Sequence, residues 1–241
     1  MLDIAAITKV GNRNINEDSI GYKERSNQGC FVLCDGLGGH GLGDVASRCV
    51  VDDILSNYEE NGFDKKTFGM LFERAQKELL EEQAVRKATT KMKTTCVVLC
   101  IDGKDAHVGH VGDSRGYYFR RGKVKKRTLD HSIPQMLVKM KEIKESEIRN
   151  HPDRNTVLRV MGIPWDNKPY EFLRRIRMRE KDAFLLCTDG FWELIEESDM
   201  ERLFAESQNA NEWIEKMEKI VIANGKDKKM DNYSAIAIWN V

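Results

Sequence analysis

Proline is scarce in this chain: the four in 241 residues stand at 134, 152, 164 and 169, all within one stretch. Serine/glycine-rich linkers and internal repeats are missing altogether, which argues against tandem modules or a solenoid. The chain therefore reads as one domain, 1–241, long enough to bury a sizeable core. Net charge is missing too, because 39 basic and 39 acidic side chains cancel. A neutral molecule has no overall field to draw it to nucleic acid or an anionic membrane. The longest uncharged apolar runs, such as Cys96–Ile101, fall far short of the ~18–20 residues of a membrane span. Asp3 interrupts the opening before any basic-then-apolar leader can form. A soluble, cytoplasmic protein is the expectation, with no nucleic-acid and no membrane partner.

The six cysteines (30, 34, 49, 96, 100 and 187) form no CxxC pair, and most lie in apolar runs. If those runs are strands, Cys30/Cys34 and Cys96/Cys100 each share a face about 13 Å apart, too far for a disulfide. They read as reduced, buried thiols acting as small hydrophobes.

Two helical patterns are clear. Ala46, Val50, Ile54 and Tyr58 recur every four residues, and Phe68, Leu71, Phe72, Ala75 and Leu79 keep the 3–4 spacing. Ser198-x-x-Glu201 has the form of a capping box and predicts a third helix starting at Ser198. Trp213, Met217, Ile220 and Val221 mark a fourth. Between them lie β-type runs: Phe31–Cys34, Thr95–Ile101, His107–Val111, Gly116–Phe119, Ala183–Cys187 and Ser234–Trp239. Arg175–Arg179 alternates polar and apolar, as a half-buried strand does. Strands and helices come in blocks, so the class is α+β rather than doubly wound. The proline-bearing stretch, 132–169, reads as an insertion or flap carried on the sheet.

The informative chemistry is a repeated local setting for aspartate. Asp35-Gly36, Asp113-Ser114 and Asp189-Gly190 each end an apolar run, while Glu17-Asp18 and Asp231-Asn232 sit just before β-type runs. A single Asp-Gly is an ordinary turn signal. Several strand ends converging on one rim would instead crowd carboxylates that repel unless protonated or neutralised by cations. Oxygen donors suit Mg²⁺ or Mn²⁺, and zinc fits less well without a thiolate or imidazole cluster. Two such ions could lower the pKa of a bound water and clamp a phosphoryl group, which points to a metal-assisted phosphate hydrolase. Gly36–Gly41 also satisfies G-x-G-x-x-G. However, Asp35 would face the pyrophosphate, and no second strand ends in an acid ~20 residues on, so a dinucleotide fold is set aside. Arg13 is the candidate phosphate ligand, since a guanidinium grips two phosphate oxygens at once. His40, in the glycine loop, is a candidate acid for the leaving group, and His110 reads as a core residue.

In order along the chain, these segments resemble the metal-dependent protein phosphatases, the type 2C serine/threonine family, in compact bacterial form. The matching pieces are Gly11–Ser19, Val32–Gly41, Met92–Thr95, Val111–Arg115, Thr128–Ser132, His151–Gly162, Thr188–Trp192 and Asp231–Ser234. The resemblance implies a four-layer α-β-β-α sandwich of two mainly antiparallel sheets flanked by helices, with a flap at about 132–169. It implies two Mn²⁺ or Mg²⁺ ions and a third, weaker one. Asp35 would bridge the pair, the Gly36 carbonyl would bind one of them, Asp189 and Asp231 would complete the first ion, and Glu17 and Asp18 would hold metal-bound waters, with direct contact of Asp18 to metal as the alternative. Asp113, with Asp189, would serve the third. Arg13 would bind the phosphate. The implied reaction is direct attack of a metal-activated water on phosphoserine or phosphothreonine, opposing a cognate Ser/Thr kinase on phosphorylated proteins, by a monomer. An inactive pseudophosphatase binding module is the alternative, and would be expected to lack metal aspartates. Two departures stand out. Leu37 occupies the place of the histidine thought to be the general acid in some members, leaving His40 or water for that task. Lys9 replaces a frequent acid.

Overall fold

A computed structural model of the chain describes residues 1–37 and 41–241. In chain order the strands are β1 (Leu2–Lys9), β2 (Asp18–Arg25), β3 (Gln28–Asp35), β4 (Cys96–Asp102), β5 (Asp105–Val111), β6 (Arg115–Arg120), β7 (Lys123–Arg127), β8 (Glu171–Phe172), β9 (Ile176–Arg177), β10 (Ala183–Cys187) and β11 (Tyr233–Asn240). The helices are α1 (Gly43–Asn61), α2 (Phe68–Arg86), α3 (Ile133–Lys139), α4 (Asp189–Trp192), α5 (Glu197–Ala205) and α6 (Ala210–Gly225). One sheet has the order β1-β11-β10-β6-β7; the other runs β2-β3-β4-β5-β8, with β9 also paired to β5. The registers between paired strands are antiparallel.

The layering follows from the period of two along a strand. In β3 and β4, Phe31, Leu33, Val97, Leu99 and Ile101 face one way. They meet Tyr118, Phe184, Leu186, Ile236 and Ile238 of the other sheet, forming the core between the sheets. The alternate residues, Cys30, Val32, Cys34, Cys96, Val98 and Cys100, face outward and are covered by α1 and α2. On the opposite side Phe119, Leu185, Ala235 and Trp239 pack against α4, α5 and α6. The four-layer sandwich anticipated above is therefore present. Among the described residues it leaves no parallel β-α-β unit for a dinucleotide, because β3 is followed by α1 and α2 and then by antiparallel β4.

The thiols behave as the spacing suggests: all six are free and five are buried. Spacing along one strand did not show that β3 and β4 set Cys30 opposite Cys100, with the sulfurs 3.7 Å apart. The capping-box reading at Ser198 fails. Helix α5 starts one residue earlier, after Glu196, with no side-chain cap. Glu201 is drawn away to accept from the Val124 amide (2.9 Å) and Lys123 Nζ (2.8 Å) on β7. The Arg175–Arg179 strand shrinks to Ile176–Arg177, though its alternation survives: Ile176 and Met178 are buried and the three arginines are exposed. Near the end of α2, Gln83 donates to the Met92 and Gly162 carbonyls (both 2.7 Å), tying the 132–169 segment to the sandwich.

Trp213 of α6 is fully buried, edge-on to Phe119 and Phe204 at 5.0 Å, with its indole nitrogen on the Met200 carbonyl at 3.0 Å. Trp213→Ala is expected to cost about 3–5 kcal/mol of stability, read as a lowered urea midpoint at unchanged slope.

Candidate active site

Antiparallel pairing carries the distant aspartates to one end of the sandwich. Asp18 opens β2 directly opposite Asp35, which closes β3. Cys187, the last residue of β10, pairs with Arg115 on one side and Ala235 on the other. The Asp113 turn before β6, the Asp189 end of β10 and the Asp231 approach to β11 therefore lie at the same rim. Chain packing there admits no side chain at two points. A Cβ on Gly36 would fall 2.3 Å from the Gly43 carbonyl oxygen, and one on Gly190 would fall 2.1 Å from that of Asn232.

Short polar side chains fix the rim. Thr95 Oγ1 lies 3.0 Å from the Asp35 amide, whose hydrogen it accepts, and 2.7 Å from Ser114 Oγ; Thr94 Oγ1 donates to the Asp35 carbonyl at 2.8 Å. Asn232 accepts from the Glu17 amide (2.8 Å) and donates to the Val10 and Ile15 carbonyls, holding the Arg13 loop against β11. Asp18 Oδ2 accepts from Ser234 (2.7 Å) and Thr188 (3.1 Å), while its Oδ1 is buried without a partner. Arg13 Nη2 sits 2.6 Å from Asp231 Oδ2, and both side chains are substantially exposed. Behind the rim, Arg115 is bidentate to Asp130 (2.9 and 2.7 Å) and its guanidinium lies 3.4 Å from the centre of the Trp192 ring. Trp192 donates in turn to the Asp113 carbonyl at 3.0 Å. One buried cation thus steadies the segments that carry Asp113 and Asp189.

Comparison with known proteins decides what this arrangement belongs to. The model of the family described as protein phosphatase 2C matches residues 9–222. The chain belongs to the protein phosphatase 2C family. It is 30% identical to a serine/threonine phosphatase stp of Listeria welshimeri over 83% of this chain and 81% of that one. It is 28% identical to protein phosphatase PhpP of Streptococcus pneumoniae, over 83% of this chain and 82% of that protein. The crystal structure of serine/threonine phosphatase Stp1 from Staphylococcus aureus is similar with a TM-score of 0.87 at 28% identity, covering 100% of this chain and 95% of that one.

Within this protein phosphatase 2C chain, the aspartates whose loss would mark an inactive binding module are all present. Asp113 and Asp18 are buried, and Asp35, Asp189, Asp231 and Glu17 are partly so. Burial, then the neighbouring Asp189, Asp18 and Asp113 carboxylates, pushes Asp35 well above the usual carboxylate range. Burial and Asp189 do the same to Asp113. Asp18 is pushed up to about 7 by burial, against the bond from Ser234. Asp189 is raised by burial, offset by its hydrogen bond with Asp35. Among the described residues no three acidic, histidine or cysteine side chains already stand as a closed cation cage. Still, the donors are all hard oxygens, one buried oxygen is orphaned, and no protein cation reaches Asp35, Asp113 or Asp18 by an ion pair among the described residues. That set fits Mg²⁺ or Mn²⁺.

His40 lies outside the described residues. His110 is a core residue, as read: it is 2% exposed, with Nε2 2.8 Å from the Leu129 carbonyl and the ring stacked on His131 at 4.5 Å. Sequence reasoning missed Glu193, one turn beyond Asp189, which burial and Asp189 push up to about 7. It lines a cleft of about 440 Å³ with Arg13, Arg154, Lys228, Lys229 and Asp231. The only local signal was an acid four residues after Asp189, which any helix could carry.

The sign of the pH dependence follows from these shifts. A carboxyl whose pKa is higher folded than unfolded binds more protons in the native state, so stability falls as pH rises between the two values. For Asp18 that window runs from 3.8 to about 7. Metal-free protein should lose thermal stability from about pH 4 to about pH 7, and Mn²⁺ should raise the melting temperature more at the upper pH. Equal Mn²⁺ shifts at both would contradict this assignment.

Proposed function

We propose that this chain is a metal-dependent protein serine/threonine phosphatase working at the aspartate rim. The observation that carries this reading is the pairing of a solvent-facing Arg13 with a rim of converging carboxylates that the chain leaves largely uncompensated. Asp35, the Gly36 carbonyl, Asp189 and Asp231 would hold the principal Mn²⁺ or Mg²⁺ pair with Glu17 and Asp18, and Asp113 with Asp189 a third, weaker ion. When bound, such ions supply a water of lowered pKa and neutralise phosphoryl oxygens. Arg13, released from Asp231, would grip two oxygens of the phosphate through its planar fork. The rim of Thr94, Thr95, Ser114 and Asn232 keeps the carboxylates from rearranging as charge develops, which is the source of electrostatic preorganisation. The leaving alkoxide takes its proton from His40 or from water. The 132–169 segment would act as the flap that admits the phosphoprotein.

The chemistry suits phosphorylated proteins, with a cognate Ser/Thr kinase as the opposing activity in bacterial cytoplasmic signalling. No helix among the described residues is long and apolar enough to cross a membrane. Monomeric action is the simplest form of the proposal.

Purified protein should hydrolyse p-nitrophenyl phosphate and a phosphothreonine peptide with Mn²⁺ and stop with EDTA. Asp35→Asn or Asp189→Asn should lower kcat by roughly 10²–10³-fold. Arg13→Ala should lower kcat/KM by about 10–100-fold, the worth of a charge-assisted hydrogen-bond pair. Metal-replete protein without turnover, or aspartate variants at full rate, would refute the reading.

A further inference from the structure

The sandwich has a second pole, and its chemistry is the reverse of the first. There the β2–β3 turn at Asn27, the β4–β5 turn at Gly103-Lys104 and the ends of β6 and β11 surround a cleft of about 830 Å³. Six cations line it, Lys104, Arg120, Lys126, Arg175, Arg177 and Arg179, and Glu180 is the one acid of that lining. Two of these come from the Arg120–Arg127 hairpin and three from the alternating Arg175–Arg179 segment, basic stretches that the rim chemistry does not use. We propose that this cleft binds a small polyanion bearing two or more phosphates.

The cleft is a built frame rather than a loose cluster of surface side chains. Buried Asp182 accepts from Tyr118 Oη (2.7 Å), Arg120 Nη2 (2.9 Å) and the Arg179 amide (2.9 Å). Arg120 Nη2 also donates to the Arg177 carbonyl (2.7 Å), Lys126 Nζ to the Arg174 carbonyl (3.0 Å), and the Met178 amide to the Lys104 carbonyl (2.7 Å). Ile176 and Met178 are buried at 3% and 5% exposure, so the alternation leaves Arg175, Arg177 and Arg179 on the open side. Arg120 is paired with Asp182 and Arg175 with Asp105. The other four cations have no ion pair among the described residues. Like charges held this close by a pinned backbone repel, and a multivalent anion relieves them all at once.

The lining also selects the kind of polyanion. A strand of nucleic acid would need an aromatic face for its bases, and Tyr118, the only aromatic of the lining, is 3% exposed. A concave site of this volume suits a compact small molecule. The inference stands apart from the reaction at the other pole.

Inorganic tripolyphosphate in excess Mg²⁺ is the probe, titrated calorimetrically into metal-loaded protein. Wild type and Asp35→Asn should bind it alike, with affinity falling as salt rises. Lys104→Ala/Arg177→Ala/Arg179→Ala should bind about tenfold or more weakly with a shallower salt slope, while melting and Mn²⁺-dependent p-nitrophenyl phosphate turnover stay at wild-type values. Undiminished binding by the triple variant, or its loss in Asp35→Asn, overturns the proposal by moving the anion to the aspartate rim. A glutamate-rich peptide that binds more tightly than tripolyphosphate overturns it in favour of a protein partner. Sedimentation of the protein with phosphatidic acid vesicles overturns it in favour of a membrane headgroup.

Discussion

Repulsion among carboxylates held at one end of a β-sandwich is the constraint on which the rest of this molecule turns. Asp18 and Asp35 face each other across β2 and β3, and Asp113 and Asp189 add their charge to the same space; burial first, and then these neighbouring charges, raise the pKa of Asp35. Such a rim disfavours its own ionised form. Natural relief comes from protons at low pH or from divalent cations at neutral pH. The free energy stored in that repulsion is what a bound ion recovers, so affinity for the ion and instability without it are one quantity viewed from two sides.

Holding like charges together requires a rigid frame, and the chain supplies it behind the rim. Arg115, Asp130 and Trp192 form a buried stack that ties the turn before β6 to the end of α4. A buried ion pair gains little net stability unless its geometry is good and its remaining hydrogen bonds are met. Here the guanidinium is bidentate to Asp130 and also reaches Tyr117. Its worth lies in orientation. The hydroxyls of Thr94, Thr95, Thr188 and Ser234 do comparable work nearer the acids.

Charge neutrality conceals a polarised molecule. The equal sums of 39 and 39 are spread unevenly, with uncompensated acids at one pole and six cations around a cleft at the other. Because no strong field surrounds the whole, each pole acts on ligands at short range, within the ~8–10 Å over which charge is felt at physiological salt.

Much of this was legible along the chain. Unbroken apolar runs in Phe31–Cys34 and Ala183–Cys187, and four-residue spacing in Ala46–Tyr58, depend on local geometry, so strands and helices could be read directly. The aspartates were legible because each sits at the end or beginning of an apolar run. The misreadings were those in which a distant partner outweighed a local preference. Glu201 left its capping role for Val124 and Lys123 of β7, and Leu2–Lys9, which carried no strand reading, forms β1 through its pairing with β11. By itself the sequence determined the main strands and helices, the candidate acids and Arg13, because these follow from side-chain type and period; the four layers were implied only by the family resemblance. Only the tertiary structure decided that Arg115 stacks on Trp192, that Glu193 joins the rim, that Cys30 meets Cys100, and that Lys104, Lys126 and Arg177 share a cleft. Apart from Glu193 and Asp189, those neighbours lie tens of residues apart, and strand register, a property of the whole sheet, brings them together.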